Sequence, residues 1–241
     1  MKEKEINILH LYSHDMNVYG DLGNVLCLKQ RLKWYGYKVT VVEYNPGDEL
    51  PDCVDILVGG GGQDSGQSKI QEDLLSIGIR IKTLADRNVP MLVICGMYQL
   101  FGKFFKTSDG KTIDGIGIFD IKTFGKSERL IGNIVTYSEQ FGEIIGYENH
   151  SGQTFLGQNV SPFGRVRIGA GNNTVDISEG ARYKNIIGTY LHGSLLPKNP
   201  RVADFIIEQA VINKYGKFEP KAEIDDKIAD LAREVAIKRP R

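Results

Sequence analysis

Apolar residues recur along the first hundred positions in two alternating rhythms. Short runs at 6–12, 38–43 (with Val39, Val41 and Val42), 55–58 and after Pro90 have the length and β-branched content of buried strands. Helical patterns lie between them. One begins at about Leu22 and stops at Gly36, a residue type suited to the left-handed turn that ends a helix. The other places Ile70, Leu74, Ile77, Ile81 and Leu84 at spacings of 4, 3, 4 and 3, one side of a long helix. Strands alternating with helices predict an α/β fold, a mostly parallel twisted sheet with helices on both faces.

After Gly102 the pattern changes. Residues 110–190 are rich in glycine, β-branched and aromatic residues and show little helical periodicity. Strands and hairpins are expected there, at 116–123, 131–137, 166–168 and 186–190, with residues 147–152 read as a polar loop. Asn199-Pro200 suits a helix start, with Asn as cap and Pro in the first turn. Val202, Phe205, Ile206 and Ala210 form that helix's apolar side. A link at 216–221 leads to a last helix with Ile224, Ile228, Leu231 and Val235 on one face. The expected division is a main domain over 1–215 and a C-terminal helical extension over 216–241. That extension packs on the core or on a partner, core packing being the commoner behaviour.

Composition narrows the function classes. The 241 residues are 41% hydrophobic and 25% charged, as in an ordinary globular protein. Thirty basic residues balance thirty acidic ones, so no net field steers the chain to nucleic acid or membrane. The mixed-charge start Lys2-Glu3-Lys4-Glu5 lacks the apolar segment of a signal peptide, and no stretch is long enough to span a bilayer. A cytoplasmic location is expected. The three cysteines at 27, 53 and 95 form no CxxC or CxxH pair, which argues for reduced thiols and against a metal site. Cys27 and Cys53 lie in apolar surroundings and read as small core residues.

Cys95 differs. It ends an apolar run and is followed at once by Gly96, which is how a strand, a sharp turn and a helix look in sequence. A helix N-terminus favours thiolate over thiol. A base must accompany it. His10 lies inside the first strand pattern, His14 in the loop after it and His150 in the polar segment. His192 follows a strand pattern as Cys95 does, 97 residues later (192 − 95), and is the best candidate. The glycine run 59–62 also ends a strand. Its N–H groups, together with that of Gly96, are suited to an oxyanion, but no Gly-Lys-Ser/Thr follows it and its spacing does not match a dinucleotide fingerprint.

Three segments, Cys95-Gly96-Met97-Tyr98-Gln99, Tyr147-Glu148-Asn149-His150-Ser151-Gly152 and Gly188-Thr189-Tyr190-Leu191-His192-Gly193, resemble the class I glutamine amidotransferases, nearest to the branch found in cobyric acid synthase. With Tyr19-Gly20-Asp21-Leu22-Gly23-Asn24 and Arg129-Leu130-Ile131-Gly132-Asn133, the chain looks like the free-standing glutaminase subunits of lipid II isoglutaminyl synthases. The resemblance implies the class I amidotransferase fold and hydrolysis of L-glutamine through a thioester on Cys95, with His192 as base. It implies oxyanion donors at Gly96 and Gly61, Gln99 beside the bound glutamine, and Arg129 on a substrate carboxylate. A surface ion pair is the plainer alternative for Arg129. Many class I enzymes carry a glutamate two residues after the histidine. Here that position is Ser194, which leaves Asp21 and Glu148 as candidates for the third triad member.

No cofactor or metal is expected on this chain. The implied partner is a Mur-ligase-like catalytic subunit that binds ATP and lipid II, uses the ammonia and converts the stem D-glutamate to D-isoglutamine. Two other readings suit the same residues: a glutaminase serving another acceptor, such as a corrin-ring carboxylate, and a regulatory binding subunit with an inert pocket.

Overall fold

The computed structural model describes residues 3–239. Its first half follows the alternating pattern: β1 (Glu5–Leu11), α1 (Leu22–Trp34), β2 (Lys38–Tyr44), β3 (Ile56–Gly59), α2 (Asp64–Asp86), β4 (Met91–Ile94) and α3 (Gly96–Leu100). The second half comprises β5 (Phe104–Lys106), β6 (Thr112–Asp114), β7 (Ile121–Ser138), β8 (Gly142–Leu156), β9 (Gly164–Ile168), β10 (Ser178–Glu179), β11 (Ala181–Tyr183), β12 (Ile186–Thr189), α4 (Leu195–Lys198), α5 (Pro200–Tyr215) and α6 (Lys227–Ile237).

The main sheet has the strand order β11-β12-β4-β3-β1-β2, and all its pairings are parallel except that of the edge strand β11. The chain crosses from β1 to β2 in one direction and from β3 to β4 in the other. Right-handed crossovers therefore set α1 and α2 on opposite faces. β3, β4 and β12 are buried at every position, because helices or the second sheet cover both faces. The order reverses between β1 and β3, and ligand crevices form at such a switch point, beyond the carboxyl ends of the strands. The loops after β1, β3, β4 and β12 all open there.

A second sheet, in the order β10-β9-β7-β5-β6 with β8 on β7, occupies the glycine- and β-branched-rich region. Here the sequence reading needs correction. The strand expected at 116–123 begins only at Ile121, and it continues through the 131–137 segment as one strand. Pairing with β8 breaks register between Gly125 and Leu130, where four exposed polar residues interrupt the apolar pattern. Residues 147–152 are not a loop but the second half of β8, carried into extended form by pairing with β7.

Asn199 precedes α5 but makes no side-chain cap. Its amide instead bonds Ile145 N–H and C=O and the Leu195 carbonyl, tying α4 to β8. α6 rests on α4 and β8, yet none of its residues is buried, so the stripe expected to face the core does not.

Candidate active site

Cys95 stands where β4 turns into α3. Its backbone takes φ 50° and ψ −106°, which for a side chain with a β-carbon costs about 1–3 kcal/mol and signals a nucleophile elbow. Two bonds hold the turn. Cys95 N–H donates to Thr189 O at 2.8 Å, and Cys95 O accepts from Gln99 N–H at 2.9 Å. Space is tight at the next residue: a β-carbon on Gly96 would lie 2.7 Å from Met16 Cε and 3.2 Å from the Gly62 nitrogen.

His192 reaches the same place because β12 pairs in parallel with β4, Thr189 opposite Ile94, so the two chains leave the sheet side by side. His192 N–H donates to Tyr147 O at 2.7 Å, and the Tyr19 ring lies 4.3 Å from the imidazole, centre to centre. Gly61 fills the gap between nucleophile and base. A β-carbon there would sit 2.7 Å from His192 Cε1 and 3.2 Å from Cys95 Cβ. Burial disfavours the imidazolium of His192, but negative charge on Cys95 and on Asp21 outweighs it, and the imidazole pKa rises to about 10.

Of the two carboxylates considered as third member, the structure brings only Asp21 to the histidine. It is fully buried, with Oδ2 3.8 Å from His192 Nδ1, beyond hydrogen-bond length but within ion-pair reach. Glu148 is engaged elsewhere: its oxygens accept Ala170 N–H at 2.9 Å and Gly171 N–H at 2.8 Å. Asp21 Oδ2 also accepts the Gly61 N–H at 2.7 Å, so that N–H, expected to face an oxyanion, is engaged. The Gly62 N–H has no acceptor among the described residues and lies beside Gly96. Ser194, at the position where many class I enzymes hold glutamate, donates from its hydroxyl to Gly20 O at 2.9 Å and so fastens the loop that carries Asp21.

A cavity of about 320 Å³ opens in front of Cys95, bordered by the start of α2 and the far half of β8. Arg129 stands in its wall with no carboxylate partner among the described residues. Its Nε–H donates to Asn149 Oδ1 at 2.7 Å and its Nη2–H to Tyr19 Oη at 3.1 Å. The surface ion pair considered for it is not formed. Gln99 is buried in the same wall. Its Oε1 accepts from Gln67 Nε2 at 2.8 Å and its Nε2 donates to Tyr190 Oη at 3.0 Å. A β-carbon on Gly152 would fall 2.3 Å from Gln99 Nε2, so that glycine makes room for the amide.

Sequence reasoning passed over Gln67, Asn149, Tyr190 and the working part of β8. Asn149 and Tyr190 lie inside the family motifs, which was their only signal; Gln67 lies in none of them. His150 is at the cavity but is no base. Its Nδ1 lies 2.7 Å from Gly152 O, its ring stacks on Tyr190 at 3.6 Å, and burial lowers its pKa to about 3. The other histidines and cysteines are outside the cavity. His10 is buried in β1, His14 is exposed, Cys27 packs at the edge of the core, and Cys53, expected inside, is exposed.

Known proteins match this arrangement. Residues 7–200 fit the model of the CobB/CobQ-like glutamine amidotransferase domain. The GatD subunit of the glutamine-hydrolysing lipid II isoglutaminyl synthase of Staphylococcus aureus is 42% identical over 236 residues, 98% of this chain and 96% of that protein. The corresponding subunit of Streptococcus pneumoniae is 39% identical over 216 residues, 88% of this chain and 83% of that protein. A solved glutamine amidotransferase shares the fold at a TM-score of 0.57 and 15% identity, over 84% of this chain and 98% of that one. The chain belongs to the CobB/CobQ-like glutamine amidotransferases.

Proposed function

We propose that this chain is the glutaminase subunit of a lipid II isoglutaminyl synthase. The observation that carries the reading is Cys95, held at a strained strand–helix turn in the wall of a cavity, with His192 and the Gly62 and Gly96 N–H groups close by.

The geometry supports the following steps. Arg129 holds the α-carboxylate of L-glutamine, a task for which its planar fork is suited. The Cys95 thiolate attacks the side-chain carbonyl carbon, and the developing oxyanion meets the Gly62 and Gly96 N–H groups. His192, as imidazolium, gives its proton to the departing nitrogen; ammonia leaves and a γ-glutamyl thioester remains. His192, now neutral, takes a proton from water as the water attacks the thioester, the C–S bond breaks, and glutamate leaves. Asp21 orients the imidazole through Nδ1.

The ammonia passes to a Mur-ligase-like partner that binds ATP and lipid II and amidates the α-carboxylate of the stem D-glutamate. Identity over nearly the whole chain to subunits of that synthase supports this acceptor over a corrin-ring carboxylate. The test is glutamate release from glutamine by the purified pair. Release should disappear in Cys95→Ala, and undiminished release in that variant overturns the reading.

A further inference from the structure

α6 separates its apolar and polar sides more sharply than any of the other long helices. Ile228, Leu231 and Val235, at i, i+3 and i+7, form its apolar stripe, about 10 Å long at 1.5 Å per residue. They are 85%, 63% and 52% exposed. The opposite side faces the protein: an Arg233 guanidinium N–H donates to Glu143 O, and Ala236 and Ile237 border a groove against β7 and β8.

The orientation is anchored. Asp226, just before the helix, receives a bidentate pair from the buried Arg31 at 2.7 and 2.9 Å, and Arg31 also holds Asp204 of α5. An amphipathic helix ordinarily turns its stripe to its own core. This one is fixed with the stripe outward.

Two observations indicate what covers it. The match to the family's domain ends at residue 200, so α6 lies beyond the matched residues. The identity to the S. aureus GatD subunit, by contrast, covers 236 of the 241 residues and so reaches into α6. The helix is a feature shared with a protein that works as one subunit of a synthase. α6 also packs on α4, which follows His192, and on the first half of β8, whose Tyr147 carbonyl accepts the His192 N–H. A chain seated on α6 would therefore adjoin the site that releases ammonia.

We infer that the outward stripe of α6 is the docking surface for the ligase subunit, whose surface provides an apolar groove for the three anchors. The inference rests on the reading under Proposed function.

The experiment compares the full chain with Leu231→Glu and with the double variant Ile228→Ser/Val235→Ser, each titrated with the ligase subunit from the same organism. Ile79→Glu serves as a control, an equally exposed apolar residue on α2. The stripe variants should bind at least tenfold more weakly, with unchanged melting temperature and unchanged mass in solution, and the control should bind as wild type. Wild-type affinity in the stripe variants overturns the inference alone. So does a wild-type homodimer that the stripe variants dissolve while the complex with the ligase subunit persists. No complex between the wild-type chain and the ligase subunit overturns both the inference and the reading on which it rests.

Discussion

The parallel sheet and the antiparallel hairpin meet at one cavity and bring different things to it. Around the rim of the parallel sheet stand Cys95 and Gly96 at the end of β4, Gly61 and Gly62 beyond β3, His192 beyond β12, and Asp21 in the loop before α1 with its carboxylate on the Gly61 N–H. β7 and β8 bring Arg129, Asn149, His150 and Gly152. The proposed mechanism puts bond-making on the doubly covered sheet and recognition on the hairpin. A fold that separates the two can change the substrate's grip without moving the nucleophile.

That division can be tested by the kind of damage each half produces. Asp21→Asn leaves the acceptor for Gly61 N–H in place but removes the charge beside His192. We expect kcat to fall by about 10²-fold or more with little change in KM, as for loss of a general-base component. An unchanged kcat shows that His192 needs no acid. Arg129→Lys keeps the charge and loses the fork, so KM for glutamine should rise by about 10-fold with kcat nearly constant. A fall in kcat alone would place Arg129 with the chemistry and blur the distinction between the two sheets.

The smallest effect concerns Glu179, buried under the end of β12. It accepts from the Thr189 hydroxyl and from Tyr190 N–H, both at 2.8 Å. Burial pushes its pKa up from 4.5 to about 8, against those two bonds. A carboxyl raised in the folded state favours folding fully below its unfolded pKa, and that contribution is lost as pH rises toward 8. Glu179→Gln should therefore melt higher than wild type at pH 8 and differ little at pH 5, by differential scanning calorimetry. Equal melting temperatures at pH 8 would show that the carboxyl is relieved by other contacts.

The two regions also differed in how far the sequence disclosed them. Buried parallel strands are nearly all apolar; β3 ends at a glycine and β4 runs directly into Cys95. Cys95, the 59–62 run and His192 each follow such an apolar run and could be placed at one rim from the pattern alone. β8 keeps polar residues such as Asn149 and Ser151 in extended form because β7 pairs with it, a long-range cause that no local window records. The engagement of the Gly61 N–H was hidden for a similar reason. Nothing in four consecutive glycines tells which N–H a distant Asp21 will occupy. The stripe of α6 was legible as a stripe, but its direction depends on Arg31 and Asp226, 195 residues apart.

The most direct measurement is covalent trapping. A glutamine analogue with an electrophilic γ-carbon is incubated with the intact complex, and the modified peptide is mapped by mass spectrometry. The geometry predicts one label, on Cys95, competed by glutamine and sharply slowed in His192→Asn. The exposed Cys53 serves as an internal control for indiscriminate alkylation. Glutamine turnover with no label on Cys95, or a label confined to Cys53 or Cys27, would contradict the assignment of Cys95 as the nucleophile.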